Sequence, residues 1–406
     1  MTGRTSPLTI GLALRSVLAV AALIVLVGCG GHPYVYAPLE SVDFRSRATV
    51  DGDDAVRVSA AVPSAGETES LFGMPLYEQG VQPVWLEIEN KTNARLRYAH
   101  AGTDREYFSP LEVAYKNRKG LSDEGRKKMY ERLFYTAMPR YIEAGKTISG
   151  FVFTHVRPGT KDFNVDIYAQ GISHSFTFFI TVPGFVPDHA EVDFLNLYPV
   201  NELQDLDEPD FRRVIANLGC CTTDAAGEKQ GSPLNVVLLG EGREIRYALL
   251  RAKWRETATN ESTSRHPGAA DYFYRGRRQD ALLRFEGSGT DDGYYELRLW
   301  LSPYRLDGTL VWIGQLRHFI EHRWIKTRPD PDIDNARAFM AQNLWYGQTL
   351  LKYAHASGGD AVSQELQQQD FQGSEYFTNG FRHVFWLSGK PVSLVETFDA
   401  GWDEED

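Results

Sequence analysis

From about residue 80 to residue 182 the chain repeats one pattern: short runs of alternating apolar and polar residues, each closed by a turn. Val84, Leu86 and Ile88 alternate with Trp85, Glu87 and Glu89, and Asn90-Lys91-Thr92-Asn93 supplies the turn. A period of two matches the side-chain alternation of a β-strand rather than the 3.6 of a helix. Arg95 to Ala99 returns as a second strand, and Thr147 to Thr154 follows the Glu143-Ala144-Gly145-Lys146 turn. Phe163, Val165 and Ile167 alternate after Pro158-Gly159, and Ser173 to Val182 ends at Pro183-Gly184. Short strands at this spacing predict two antiparallel layers packed face to face. Leu121 to Met138 interrupts them with a helical insert, basic at Arg126-Lys127-Lys128 and apolar at Met129, Leu133 and Phe134. The favoured reading of the insert is a helix capping one end of the layers; contact with anionic lipid heads is the alternative.

The pattern changes near Asp188. Leu234, Val236 and Leu238 alternate into Gly240, and Arg243 to Lys253 carries Ile245, Leu249 and Leu250 at helical spacing. Tyr272 to Tyr274, Ala281 to Glu286, Tyr294 to Leu301 and Thr309 to Phe319 read as strands, with Leu297, Leu299 and Leu301 inward against Glu296, Arg298 and Trp300. A helix is expected from Pro331 to about Lys352, and a closing hairpin from Phe381 to Leu387 and Val392 to Thr397. The expected fold class is therefore α+β overall. An immunoglobulin-like β-sandwich over 61–185 precedes an α+β domain with a mixed or antiparallel sheet over 190–398.

Residues 1–28 read as an export signal, with Arg4 and Arg15 as the only charges and an apolar stretch from Ser16 to Val27. That stretch is too short for an ordinary spanning helix, which needs about 20 apolar residues. Leu26-Val27-Gly28-Cys29 fits a bacterial lipoprotein signal, in which the Cys29 thiol is acylated and the chain is cut before it. A plain secretory peptide with an incidental cysteine is the alternative. Acylation supplies more than one chain, enough for stable anchoring. Gly30 follows where an Asp would signal inner-membrane retention, so the expectation is the cell outer membrane, lipid-anchored on its periplasmic face. Residues 29–60, with Pro33, Pro38 and the Asp51-Gly52-Asp53-Asp54 cluster, read as a flexible tether, and 399–406 as an acidic solvated tail. The 43 basic residues against 54 acidic give a net charge of -11, and no Lys/Arg run threads aromatic positions, so a nucleic-acid partner is not expected.

Over roughly Glu202 to Thr397 the chain resembles the LssY C-terminal domain family. The resemblance is carried by Cys220-Cys221-Thr222-Thr223 with Pro233-Leu234-Asn235, and by Gly276-Arg277-Arg278-Gln279-Asp280. It continues in Leu299-Trp300-Leu301-Ser302-Pro303, Leu306-Asp307-Gly308, Val311-Trp312-Ile313-Gly314 and Asp330-Pro331-Asp332-Ile333-Asp334. The resemblance implies a module found alone in envelope proteins or behind membrane-embedded phosphatase domains, with no agreed reaction. Phe319 stands where the family has an Asp, Arg328 where it has a His, and Ala336 where it has an acid.

Four constellations bear on chemistry. His318-Phe319-Ile320-Glu321-His322 matches the H-x-x-E-H of inverted zinc peptidases, which requires a helix. On the strand that Val311 to Gly314 points to, the two histidines stand about 13 Å apart, too far for one zinc. Asp330, Asp332 and Asp334 alternate as calcium ligands do, but Asn335 and Ala341 occupy the EF-hand Gly and Glu positions, so a helix start capped by Asp330 is preferred. Cys220-Cys221 is expected as a vicinal disulfide in an oxidising compartment. Arg277, Asp280, Arg305 and Asp307 are the candidate ligand-binding set, since convergent arginines hold a phosphate or carboxylate bidentately. No metal and no cofactor are expected. The function expected is a non-catalytic binding or assembly role, its partners being the membrane through the lipid and an envelope protein or small anionic ligand. A hydrolase acting on a phosphoester or envelope lipid is the alternative.

Overall fold

The computed structural model describes residues 31–169, 171–258, 271–287, 293–322 and 325–402. Cys29, the export-like segment and the acidic residues Asp403 to Asp406 lie outside the described residues. The chain divides into two units, Met1–Arg157 with Phe163–Pro183, and Pro158–Asp162 with Gly184–Asp406. The class is α+β, with antiparallel and mixed sheets.

The strands of the first unit are β1 (Thr49–Gly52), β2 (Val56–Ala61), β3 (Val81–Asn90), β4 (Leu96–Ala99), β5 (Tyr141–Ile142), β6 (Thr147–His155), β7 (Thr160–Ala169) and β8 (Ile172–Thr181). They form two four-stranded sheets, ordered β1-β2-β3-β6 and β5-β4-β7-β8. Val58, Leu86 and Val152 of the first sheet share one buried core with Tyr98, Val165 and Phe178 of the second. Trp85, expected to face outward, is only 4% exposed. The reason is a second apolar face. Trp85, Phe151 and Phe153 are covered by Leu71 and Phe72 of α1 (Ala65–Phe72), Val113 of α2 (Pro110–Asn117), and Met129 and Leu133 of α3 (Asp123–Thr136). The helical insert thus covers a sheet face instead of capping an end. Ser109 and Ser122 start these two helices by accepting the amides of Glu112 and Gly125.

The tether expected over 29–60 is folded from Gly31 onward. Phe44 is fully buried, and the Tyr34 hydroxyl donates to the Phe72 carbonyl at 2.6 Å. The His32 amide donates to the Gly120 carbonyl at 2.7 Å. These aromatic side chains belong to the helix-covered cluster, yet sit in turns and short 3-10 pieces that carry no period.

The second unit begins with β9 (Gln204–Leu206), α4 (Glu208–Ala216), β10 (Cys221–Thr223), β11 (Gln230–Pro233), β12 (Val236–Leu239), α5 (Gly242–Arg251) and β13 (Arg255–Glu256). It continues through β14 (Phe273–Tyr274), β15 (Arg277–Arg278), β16 (Ala281–Glu286), β17 (Tyr294–Leu306), β18 (Thr309–His322), β19 (Ile325–Pro329) and α6 (Ile333–Tyr346). β20 (Leu350–Ser357), β21 (Gln368–Gln369), β22 (Glu375–Tyr376), β23 (Phe381–Leu387) and β24 (Phe398–Asp399) complete it. A mixed sheet runs β13-β16-β17-β18-β12-β23-β20-β24, with β9 on β17 and β19 on β18. β12 pairs antiparallel with β18 and parallel with β23.

Both faces of this sheet are buried. Val236, Leu238, Leu297 and Leu299 pack on one side against Ile245 and Leu249 of α5 and Met340 and Leu344 of α6. Val237, Leu239 and Trp300 pack on the other against Phe211 and Ile215 of α4. The buried Arg382 closes the α4 end by donating to the last-turn carbonyl of Ile215 and to the Leu218 and Gly219 carbonyls just beyond the helix, at 2.7–3.0 Å, which gives the helix end a cationic partner.

Three expectations change here. The closing hairpin is replaced by pairing of β23 with β12 and β20, while 392–397 form no strand. The long helix spans only Ile333–Tyr346, and Asp332 caps it in place of Asp330. The described part of the tail, Asp399 to Trp402, is folded onto the second unit: Trp402 is 5% exposed and packs on Phe211 and Trp386.

Candidate functional site

The residues singled out in the sequence largely hold the fold. Arg277 donates to Asp280 Oδ1 at 2.6 Å, and to the Leu301 carbonyl and the Tyr198 hydroxyl at 3.0 Å. The second Asp280 oxygen accepts the Leu301 amide at 2.7 Å. Burial raises the Asp280 pKa, while the Arg277 guanidinium and the Leu301 amide oppose that shift. The Arg277 side is shifted toward its charged form, and the short contact argues for an ionised pair. Arg305 and Asp307 are exposed at the far end of β17, four residues or about 13 Å of strand beyond Leu301. Asp307, at φ 48°, and Gly308, at φ 80°, make the β17–β18 turn. The four residues therefore divide into a closed pair and an exposed hairpin end.

His318 to His322 lie on β18, a strand, and His318 Nδ1 stands 3.0 Å from Asp330. Asp332 accepts the Asp334 and Asn335 amides. Asp334 accepts from Arg337, from the Thr378 hydroxyl and from the Asn379 amide. No group of three or more His, Cys, Asp or Glu able to hold a metal occurs among the described residues. Cys220 and Cys221 are joined by a disulfide, and the Cys220 carbonyl accepts the Leu234 amide at 2.8 Å, leading the chain into β12. Asn235 mimics a strand partner: its Nδ2 donates to the Leu316 carbonyl and its Oδ1 accepts the Leu316 amide.

The geometry favours a different place. A cavity of about 400 Å³ lies within the second unit, between α5 and the sheet. Its walls are apolar, including Phe194, Leu249, Leu283, Leu299, Leu301 and Trp312. Leucines on β16 and β17 alternate so that one face presents several side chains to the same space. Volume and lining match those of small-molecule sites, which are apolar clefts of about 300–1,000 Å³ with few polar groups.

Those polar groups are Asp188, His189, Arg243, Arg246 and Glu256. Asp188 Oδ2 accepts the Leu282 amide at 2.7 Å, and Oδ1 accepts the His189 amide at 2.8 Å. Burial pushes the Asp188 carboxyl up to about 7; the two amides offset part of this and the Glu256 charge adds to it. His189 is driven down by burial and by the Arg246 charge, with Glu256 opposing. A neutral imidazole makes its 3.8 Å approach to Glu256 a contact and not an ion pair. Arg246 Nε donates to Glu256 Oε1 at 2.6 Å, so that charge is compensated. Arg243 is exposed and makes no ion pair or hydrogen bond among the described residues. Among the described residues, the polar part of the lining thus has one uncompensated cation, Arg243. Among the described residues, none that lines the cavity is a Ser, Thr, Cys or Lys nucleophile.

Sequence reasoning missed this site because its walls come from six separated segments and read as ordinary core. The one available signal was Asp188-His189, two titratable residues set directly after Pro187.

No curated protein matches the chain. The crystal structure of ycdA, a candidate lipoprotein of Bacillus subtilis subsp. subtilis str. 168, is similar at 16% identity with a TM-score of 0.20. The likeness covers 41% of this chain and 46% of that one, so the chain spans about half the length of that protein. Residues 212–381 match the model of the family described as LssY C-terminus. The chain carries an LssY C-terminus domain at residues 212–381.

Proposed function

We propose that this protein is a lipid-anchored lipoprotein of the cell envelope, acylated at Cys29 and held on the periplasmic face of the outer membrane. Its second unit binds a single-chain amphiphile with an anionic head and carries out no reaction on it. The observation that carries the binding role is the apolar cavity of about 400 Å³ with Arg243 as its uncompensated cation. An acyl chain fits the leucine-rich walls, and an anionic head fits the exposed guanidinium. The anchor is supported by Leu26-Val27-Gly28-Cys29 after a basic, apolar start. An immunoglobulin-like reading of the first unit is supported by its wiring: the chain crosses between the two sheets from β3 to β4, from β5 to β6 and from β6 to β7.

Hydrolysis through Arg277, Asp280, Arg305 and Asp307 gains no comparable support, because the first two are closed on each other and the last two are exposed at a turn. Native mass spectrometry of protein extracted from envelopes tests the binding role. The expected result is a non-covalent adduct with the mass of a fatty acid or lysophospholipid, absent from Ala281→Trp, which fills the cavity. A bare chain that also takes up neither class when supplied contradicts it.

A further inference from the structure

The first unit carries a surface that the ligand cavity does not use. α2 and α3 bury Val113, Ala114, Met129 and Leu133 against the first sheet. Their opposite faces expose Leu111 (64%), Tyr115 (64%), Phe134 (55%) and Tyr135 (79%). Exposed large apolar residues gathered on two neighbouring helices are unusual for a solvated face. The same segment is cationic: between Pro110 and Arg140 eight Lys or Arg stand against four Asp or Glu, in a chain whose net charge is -11. Aromatic rings among Lys and Arg suit the interface of an anionic bilayer, where the rings enter the headgroup layer and the cations meet lipid phosphates.

A second observation fixes the direction. The His32 amide donates to the Gly120 carbonyl at 2.7 Å, and the His32 carbonyl accepts the Ser122 amide at 3.1 Å. Gly31 lies so close that a Cβ there would meet the Leu121 carbonyl carbon at 2.5 Å, so this approach requires glycine. The chain is thereby pinned at the α2–α3 turn. Three residues of extended chain reach at most about 11 Å, so Cys29 lies within that distance of His32. A lipid on Cys29 brings the bilayer to this turn, beside Lys119 and Arg126.

We infer that the outward faces of α2 and α3 rest on the anionic surface of the membrane that holds the anchor, forming a second, electrostatic attachment. This rests on the acylation of Cys29 proposed above. The lipid and the surface act together, since the anchor holds the cations within reach of the headgroups and the cations orient the first unit on the membrane.

The test uses the chain from residue 29 onward carrying Cys29→Ser, so that no lipid contributes, with vesicles of phosphatidylcholine alone or mixed with phosphatidylglycerol. Co-sedimentation is expected with the anionic vesicles only and is lost in high salt. Lys119→Ala combined with Lys127→Ala should weaken it roughly 10–30-fold, as two near-surface cations predict, with an unchanged melting temperature. Phe134→Ala with Tyr135→Ala should weaken it at constant charge. Equal binding to both vesicle types, or indifference to the lysine pair, overturns the inference. So does concentration-dependent dimerisation abolished by the aromatic pair, which would assign the face to a second copy. The anchor is read separately, from the mass of the N-terminal peptide of membrane-extracted protein: an unmodified Cys29 overturns the anchor, whatever the vesicles report.

Discussion

Asp188 Oδ2 accepts the backbone amide of Leu282 at 2.7 Å, fixing a largely buried acid beside an apolar cavity. Burial raises its pKa from 3.8 to about 7, so between these values the folded chain holds a proton that the unfolded chain releases. The contribution of this group to stability is therefore greatest below pH 4 and is lost as pH rises through 7. A change of this size corresponds to about 4 kcal/mol. Asp188→Asn keeps the acceptor for Leu282 and removes the titration. Melting temperatures of the native chain should fall relative to the variant between pH 4 and 7, and parallel profiles over that range would contradict the assignment.

Arg317 and Asp370 form an ion pair at 3.0 Å with side chains 1% and 0% exposed. Burial raises the Asp370 pKa, but hydrogen bonds from Ser232, the Ser374 amide and Tyr272, with the Arg317 charge, outweigh it and leave it below the usual value. Asp370→Ala strands a buried guanidinium, so a loss of about 3–5 kcal/mol is expected in urea unfolding. Ser232→Ala removes the hydroxyl that donates to Asp370 at 2.7 Å and accepts from Arg317 at 2.6 Å but leaves the ion pair in place, and should cost about 2 kcal/mol. Similar losses for the two variants would show that the pair is not the centre of this network.

The strands over 281–286 and much of 294–306 and 309–322 are legible because one apolar side chain in two is enough to mark a strand. Trp85 and Trp300 are not, since a period of two shows one buried face and both sheets have two. Tyr34 and Phe44 are buried from stretches without any period. At the candidate site the difficulty is of another kind. Asp280, Asp307 and Asp334 look like ligands because they are acids in recurring blocks, yet two satisfy backbone amides and one makes a turn. The cavity lining is assembled from leucines whose spacing says core, and only the fold leaves them a space to share.

The Cys220–Cys221 disulfide stands at the entrance to β10. Denatured, unreduced protein should leave both thiols of this peptide unlabelled by iodoacetamide, and reduction should expose two. Labelling without reductant would show the pair to be free.

The binding role is tested most directly by titrating the protein with a fluorescent fatty acid and then displacing it with an unlabelled single-chain anionic amphiphile. The account predicts saturable one-to-one binding that Ala281→Trp abolishes and Arg243→Glu weakens about tenfold, the loss of one charge-assisted contact. Binding that is absent from the native chain, or equal in the native chain and Ala281→Trp, would contradict it.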